Sequence, residues 1–351
     1  MPSVVHVVVT GEFAGVERYV SDAARETAAR GWEPVVVGGS PQRMRAALGD
    51  AARWLPGATP VEALRSLRRL GRRDVCHAHM TIAETVAVAA RPFHRAAVVS
   101  TRHFAAPRGA SRAGHLLSPW IARGLARQIA VSDFVARRLE QPPDAVIRNG
   151  VPSSECLWRS SSNVVLVLQR LSPEKDTVTA LRGWQASELA EEGWSLRIVG
   201  AGSERAALEA YTRSAEVPGV SITGPVDSVA DEFATAAVLL APAPADSFGL
   251  AVVEAMAAGV PVVACAAGGH LETVGLLPGA AMFPAGDAEA AASALRSLRS
   301  EAARSAASEA GRQLVDTTFT IARHVDSLLI EYEAARQPAP RSRECAHELD
   351  A

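Results

Sequence analysis

The sequence is almost without lysine: of 36 basic residues in 351, the one lysine is Lys175. The drift towards arginine and alanine is what a GC-rich coding sequence produces. One ammonium kept against that drift marks a place that wants a compact, mobile charge and not a planar guanidinium. Cysteine is scarce too. Cys76, Cys156, Cys265 and Cys345 are scattered without a CxxC pair, which speaks against a zinc ribbon or disulfide framework and for a reducing, cytoplasmic setting. No apolar run suits a membrane span, since the longest, 251–269, contains Glu254 and Pro261. Met1–Ser3 leads straight into a strand-like run with no basic segment before it, so no secretory signal is expected. Aromatics make up 5% of the chain and the arginines are spread out, which disfavours nucleic acid as a partner. The first strand-to-helix turn, TGEFAG, lacks GxGxxG, and no ribose-binding acid follows. A nicotinamide-dependent oxidoreductase is therefore disfavoured.

What is present is a regular alternation of short β-branched runs with alanine-rich helical runs, the pattern of an α/β protein. At 351 residues two domains are expected. Charge divides along the same line. Residues 1–150 hold 21 arginines against 12 acids, a net of nine positive charges, while 151–351 hold 15 basic and 26 acidic residues, a net of eleven negative ones. A basic first half favours an anionic acceptor or a membrane surface on that side.

Val4–Val9 is a near-continuous apolar run, as in a strand covered on both faces. Gly15 follows where strand becomes helix, over about 16–30, and would let a ligand approach the backbone at a helix N-terminus. Further elements are expected as a strand at 34–38, a helix near 42–53, an arginine-rich helix at 61–71 and a strand at 74–79. Strands at 96–101, 128–132 and 145–149 follow. His77 and His79 point the same way on their strand, but no third ligand stands at metal spacing. His103 lies just past the carboxyl end of a strand, on the rim where ligands of such sheets bind. Ser132 or Asp133 is expected to cap the next helix. Residues 105–113 read as a loop, mobile or acceptor-facing, and the serine-rich 152–163 reads as an interdomain linker.

The second half repeats the pattern. A strand at 164–168 runs into QRLSPEKD, where Arg170 and Lys175 flank Pro173 beside a helix start. Two cations there are well placed to grip a diphosphate. A strand, a glycine pair and a helix start follow over 196–204 and a strand and turn over 220–227, then the apolar run 237–240 and the stretch DSFGLAVVEAMAAGVPVV, 246–263. That stretch reads as loop, helix and strand of a βαβ unit, the helix stopping at Gly259 before Pro261. Asp246 and Glu254 lie eight residues apart across the helix start, with free amides between them, an arrangement suited to a ligand that is both sugar and phosphate. A last amphipathic helix, 321–335, presents Val325, Leu328, Leu329 and Tyr332 on one face, and 337–351 reads as a disordered tail.

These elements together resemble the retaining glycosyltransferases of family GT4, which have the GT-B fold. The resemblance rests on FAGVERYV, DVCHAH, TRHF, IAVSDFVA, IRNGV, QRLSPEK, IVGAGSE, ITGPV and DSFGLAVVEAM, in the family's order over about 1–335. It implies two Rossmann-like, doubly wound domains facing a central cleft. The expected divisions are 1–150 for the acceptor, 151–319 for the donor, and a helix at 320–336 returning to the first domain. It implies transfer of a hexose-type sugar from a nucleotide-sugar, UDP-linked before GDP-linked, to an acceptor hydroxyl, without metal or other cofactor. By the resemblance, Arg170 and Lys175 bind the donor diphosphate and Glu254 accepts from the ribose hydroxyls. Asp246 and His103 contact the sugar, and the amides of Phe248, Gly249 and Leu250 meet sugar and phosphate. Gly15 brings backbone against the phosphate, and Val226 lies by the nucleobase. The expected location is cytoplasmic, peripheral at the inner face of the membrane. Asp246 stands where the family more usually has glutamate, and Ala14 where many members have the first glycine of a pair. A sugar-nucleotide epimerase, a phosphorylase and a non-catalytic homologue are the alternatives on the same fold.

Overall fold

Strands with apolar residues on both faces must be covered on both faces, and that condition sets the architecture. The structure, a computed structural model, describes residues 1–337 apart from 107, 109–111, 156 and 227, with side chains left out for 112–117. In the first half the strands are β1 (Ser3–Val8), β2 (Glu33–Gly38), β3 (Arg53–Leu55), β4 (Val75–His79), β5 (Ala97–Arg102), β6 (Arg127–Ala130) and β7 (Ala145–Val146). They pair in parallel in the order β3-β2-β1-β4-β5-β6-β7. The helices between them are α1 (Gly15–Ala29), α2 (Pro41–Leu48), α3 (Pro60–Leu70), α4 (Thr81–His94), α5 (Arg112–Gly124) and α6 (Asp133–Ala136).

The second half builds another parallel sheet from β8 (Val164–Leu168), β9 (Ser195–Val199), β10 (Val220–Thr223), β11 (Val238–Ala241), β12 (Val262–Cys265) and β13 (Ala281–Phe283). Its order is β10-β9-β8-β11-β12-β13. Its helices are α7 (Thr177–Ser187), α8 (Arg205–Ser214), α9 (Val229–Thr235), α10 (Leu250–Ala257), α11 (Ala288–Ser297) and α12 (Glu301–Thr318). A last helix, α13 (Ile321–Arg336), leaves this domain and packs on α1, β4 and β5 of the first. Both sheets are doubly wound and Rossmann-like, the fold class read from the sequence. The strand order reverses next to β1 and next to β8, and ligands bind such sheets at the carboxyl ends beside that reversal.

Three sequence expectations need correction. The helix near 42–53 ends at Leu48, where Gly49 adopts φ +53°. The chain then forms edge strand β3, whose Trp54 Nε1 donates to the Gly38 carbonyl at 2.8 Å. The stretch 152–163 is not a free linker. The amides of Leu157 and Trp158 donate to the Ala258 carbonyl at 3.0 and 3.1 Å, and Trp158 Nε1 donates to that of Ala237. This part of the stretch belongs to the second domain, because two large apolar side chains gain more from its core than from water. The strand expected over 145–149 shortens to Ala145–Val146.

The tail from 338 and part of the loop 105–113 lie outside the described residues. Among those described, no helix is long and apolar enough to cross a membrane.

Candidate active site in the interdomain cleft

The loops at the carboxyl ends of β8, β9 and β11 form one wall of the cleft. After β8, Gln169 Nε2 donates to the Lys175 carbonyl and to Thr177 Oγ1, both at 3.0 Å, folding the loop into a tight turn over Pro173–Lys175. The neighbouring loop IVGAGSE crosses directly against it. A Cβ on Gly200 would lie 1.9 Å from the Gln169 carbonyl oxygen, and one on Gly202 would lie 2.1 Å from that of Leu171. Only glycine permits this approach, which explains the glycine pair.

The turn delivers Lys175 to Asp246, with Nζ 2.5 Å from Oδ2 and both side chains about one-fifth exposed. The other oxygen, Oδ1, accepts the amides of Gly249 at 2.8 Å and Phe248 at 3.3 Å. A short carboxylate reaches the amides two and three residues on, the geometry of an Asx turn. Burial alone would raise the Asp246 pKa. Lys175 above all, then His270 and these hydrogen bonds, bring it down to about 2. Two of the three amides expected to face a ligand are thus spent inside the loop. Leu250, at the first position of α10, keeps its amide at the open helix end.

Behind this loop stands a support that the sequence reading passed over, Gly268–Gly269–His270. A Cβ on Gly269 would fall 2.4 Å from Phe248 Cα, so β12 and its loop brace the Asp246 turn from beneath. Gly249 takes φ +83°, and a Cβ there would strike the His270 ring at 2.8 Å. His270 Nδ1 donates to the Cys265 carbonyl at 3.3 Å. A glycine pair just past a strand was the legible signal for this brace.

Glu254, one helical turn into α10, meets Arg18 of α1 across the cleft at 3.6 Å. Burial pushes its carboxyl up to about 6 against the pull of Arg18, and Asp22 adds to the rise. Nothing in the sequence signalled Arg18, because its partner lies in the other domain. The two helix starts face each other. A Cβ on Gly15 would meet only Leu250 Cδ2, at 3.8 Å, so the protein's own packing does not demand a glycine there. Arg170 is not part of this group. It is largely exposed and pairs with Glu174 at 3.2 Å. Val226 packs at the margin of the second-domain core, and the Phe248 ring is buried edge-on against Phe319 at 5.7 Å.

The first-domain wall carries an unforeseen group. Parallel register sets His6 beside His77, and β4 and β5 bring His79 and His103 alongside. His6 Nδ1 bonds His79 Nε2, and His79 Nδ1 bonds His103 Nε2, each at 3.1 Å. His77 spans Tyr332 Oη at 2.5 Å and Thr101 Oγ1 at 2.7 Å. His324 accepts from Tyr19 Oη and donates to the Arg148 carbonyl, both at 2.8 Å. Burial drives all five imidazoles below their ordinary pKa, His6 and His103 to about 3 and His324 to about 4. The missing third nitrogen near His77 and His79 therefore exists. One ligand atom each from His6, His77 and His79 lies within 4.8 Å of the others. A metal there would have to displace hydrogen bonds at His77 and His79, whose ring nitrogens are all engaged.

The walls are tied together at the edge. Glu272 accepts the amides of Asp133 and Phe134 at 2.8 and 2.7 Å and pairs with Arg148 at 3.3 Å. Ser132 Oγ accepts the Val135 amide as N-cap and donates to the Ser247 carbonyl at 2.6 Å.

Comparison with known proteins meets this geometry on both sides. The family model for glycosyl transferases group 1 matches residues 162–301, and that for glycosyltransferase family 4 matches 13–155. The chain is 28% identical to glycogen synthase of Mycobacterium tuberculosis over 326 residues, 81% of this chain and 77% of that protein. It is 29% identical over 131 residues to an exopolysaccharide phosphotransferase of Streptomyces coelicolor, 37% of this chain but only 14% of that longer protein. Among solved structures, HepE of Anabaena, in complex with UDP and glucose, superposes with a TM-score of 0.75 at 17% identity, covering 94% of this chain and 99% of its own. At that identity the likeness speaks for the fold alone.

Proposed function

Since the chain is a GT4-type glycosyltransferase of the GT-B fold, we propose that it moves a hexose-type sugar from a UDP-sugar to an acceptor hydroxyl with retention of configuration. The observation that carries this reading is the Lys175–Asp246 pair at the start of α10, opposite the start of α1, with Glu254 one turn further in. Two helix N-termini and one ammonium converge on a space that needs negative charge, and a diphosphate supplies it. As the glycosidic bond breaks, charge gathers on the leaving phosphate oxygens, where Lys175 lowers the barrier. Arg170 joins it once it leaves Glu174, an exchange of one exposed ion pair for a contact with phosphate. The space before Gly15 admits the phosphate, and Glu254 accepts from the ribose. Asp246 and His103 hold sugar hydroxyls, the Leu250 amide meets the phosphate and Val226 borders the base. Among the described residues we assign none as a double-displacement nucleophile, so in this reading attack comes from the leaving-group face and a departing phosphate oxygen takes the acceptor's proton. UDP before GDP is our choice of donor; HepE, which shares this fold, is known in complex with UDP and with UDP-glucose.

A thermal-shift panel of nucleoside diphosphates and their sugars tests the donor. UDP and a UDP-hexose are expected to raise Tm most, and a response confined to GDP would overturn the choice. Activity is expected to survive EDTA.

The acceptor approaches from the first domain. Its outer helices α3, α4 and α5 expose Arg65, Arg68, Arg91, Arg95 and Arg123 with Phe93 and Trp120, and Arg91, Arg95, Trp120 and Arg123 line an open hollow of about 600 Å³ between α4 and α5. Arginines mixed with exposed aromatics suit an anionic membrane surface, in line with a peripheral, cytoplasmic enzyme. Co-sedimentation with vesicles containing phosphatidylglycerol but not with neutral ones is expected.

A further inference from the structure

The histidine chain beneath His103 has only two internally consistent states. A neutral imidazole carries one N–H donor and one bare acceptor nitrogen, so two bonds in series must run the same way. In the inward state His103 Nε2–H donates to His79 Nδ1 and His79 Nε2–H donates to His6 Nδ1. That leaves an N–H on His6 Nε2. In the outward state His6 Nδ1–H donates to His79 Nε2 and His79 Nδ1–H donates to His103 Nε2. His6 Nε2 is then bare, and the proton of His103 sits on Nδ1.

His6 Nε2 decides between them. It is sealed from solvent and has no hydrogen-bond partner. A buried N–H without an acceptor is among the rarest states in folded proteins, and a bare ring nitrogen is the lesser penalty. The surrounding groups do not compete. His77 is held by Tyr332 and Thr101, and His324 by Tyr19 and the Arg148 carbonyl. Tyr19 meets the His79 and His103 rings edge-on, at 5.8 and 5.0 Å, without taking a ring nitrogen. His103 Nδ1 makes no hydrogen bond with any described residue and is not among the sealed atoms.

We infer that His6 and His79 are positioning residues that fix the tautomer of His103, so that its Nδ1–H is held ready as a donor to a hydroxyl of the transferred sugar. The inference rests on the proposed contact between His103 and that sugar. The chain is not a proton wire, because it ends at a sealed nitrogen with nothing beyond to pass a proton to. Its work is orientation. A donor set before the sugar arrives needs no rearrangement as the sugar begins to leave.

The test is long-range ¹H–¹⁵N correlation on the full-length protein labelled at histidine, with the His103 signals assigned by their loss in His103→Gln. The expected pattern is a protonated, pyrrole-type Nδ1 and a bare, pyridine-type Nε2 at His103. The opposite pattern, or the averaged shifts of exchanging tautomers, would overturn the inference. His79→Leu should average the His103 shifts and lower kcat by about 10- to 100-fold, the scale of a misplaced catalytic contact, with KM for the sugar nucleotide little changed. His79→Asn places an amide N–H near the lost Nδ1–H and should restore both readouts; a kcat that stays low beside restored shifts would count against positioning. Full turnover in His103→Ala would instead remove the sugar contact, a separate failure from that of the relay, which the wild-type nitrogen shifts decide.

Discussion

The two walls of the cleft handle buried polarity in opposite ways. On the second-domain wall Asp246 stays charged, because Lys175 is its counterion and the backbone amides of a helix start complete the set. On the first-domain wall five histidines pack together without a carboxylate among them, and burial strips them of charge. The difference teaches what each wall can do. A fixed charge pair is a handle for a charged ligand and can exchange partners when one arrives. A neutral imidazole network supplies direction, meaning which atom donates and which accepts, and has no charge to offer.

The largest effect expected from this contrast is acid lability of the first domain. The unfolded histidines take protons near pH 6.5, while the folded His6 and His103 resist to about 3 and His324 to about 4, and burial holds His77 and His79 well below their ordinary value. The unfolded state therefore binds more protons in that window, and stability falls as pH drops from about 6.5. Each histidine contributes on the order of 1 kcal/mol per unit of pH, so the cluster at pH 5.5 costs a large share of a typical stability of about 5–15 kcal/mol. Scanning Tm from pH 7.5 to 5 should show a steep fall, and a flat profile would break the comparison.

Next is Lys175→Ala, expected to cost about 100- to 1000-fold in kcat, the scale of losing one preorganised charge at a departing oxygen. Circular dichroism should stay native, and turnover within a few-fold of wild type would remove the residue from the diphosphate site.

Glu254 stands between the two walls in character, a buried carboxyl raised to about 6 that is only loosely held by Arg18. Ribose hydroxyls need its ionised form, so affinity for a sugar nucleotide, whose diphosphate diester does not titrate there, should rise through pH 6. About tenfold between pH 5 and 7 is expected, one unit of titration being a factor of ten. Calorimetry with Glu254→Gln should show weaker binding with that slope abolished, and an unchanged slope would assign it to another group.

The smallest effect is expected at Asp246→Glu. The added methylene, ~1.3 Å of reach, would draw the carboxylate off the Phe248 and Gly249 amides and free them towards the ligand. A few-fold change in preference among UDP-hexoses should follow in competition assays, while Tm stays close to wild type.

Much of the fold was legible because its signals are local. Continuous runs such as VVHVV and VVLVL can only be strands covered on both faces. Gly15, Lys175 and Asp246 stood out because they sit at strand-to-helix turns, and Glu254 because it lies one turn into the helix that follows, where an α/β sheet gathers its ligands whatever the details of packing. The returning helix α13 showed its apolar face in the sequence, and Val325, Leu328 and Tyr332 lie buried against the first domain.

The partnerships were not legible, because each joins residues far apart in the chain. Arg18 meets Glu254 over more than two hundred positions, and His77 meets Tyr332 over 255. Arg170 and Lys175 looked equivalent at five residues' separation, yet a tight turn sends one to Asp246 and the other to Glu174. Sequence alone determined which chemistry each turn carries, since residue type and strand-to-helix position are local properties. Tertiary structure alone decided charge and hydrogen-bond direction. His6 is an unremarkable residue in a strand until parallel register sets it beside His77 and sheet packing seals its outer nitrogen from water.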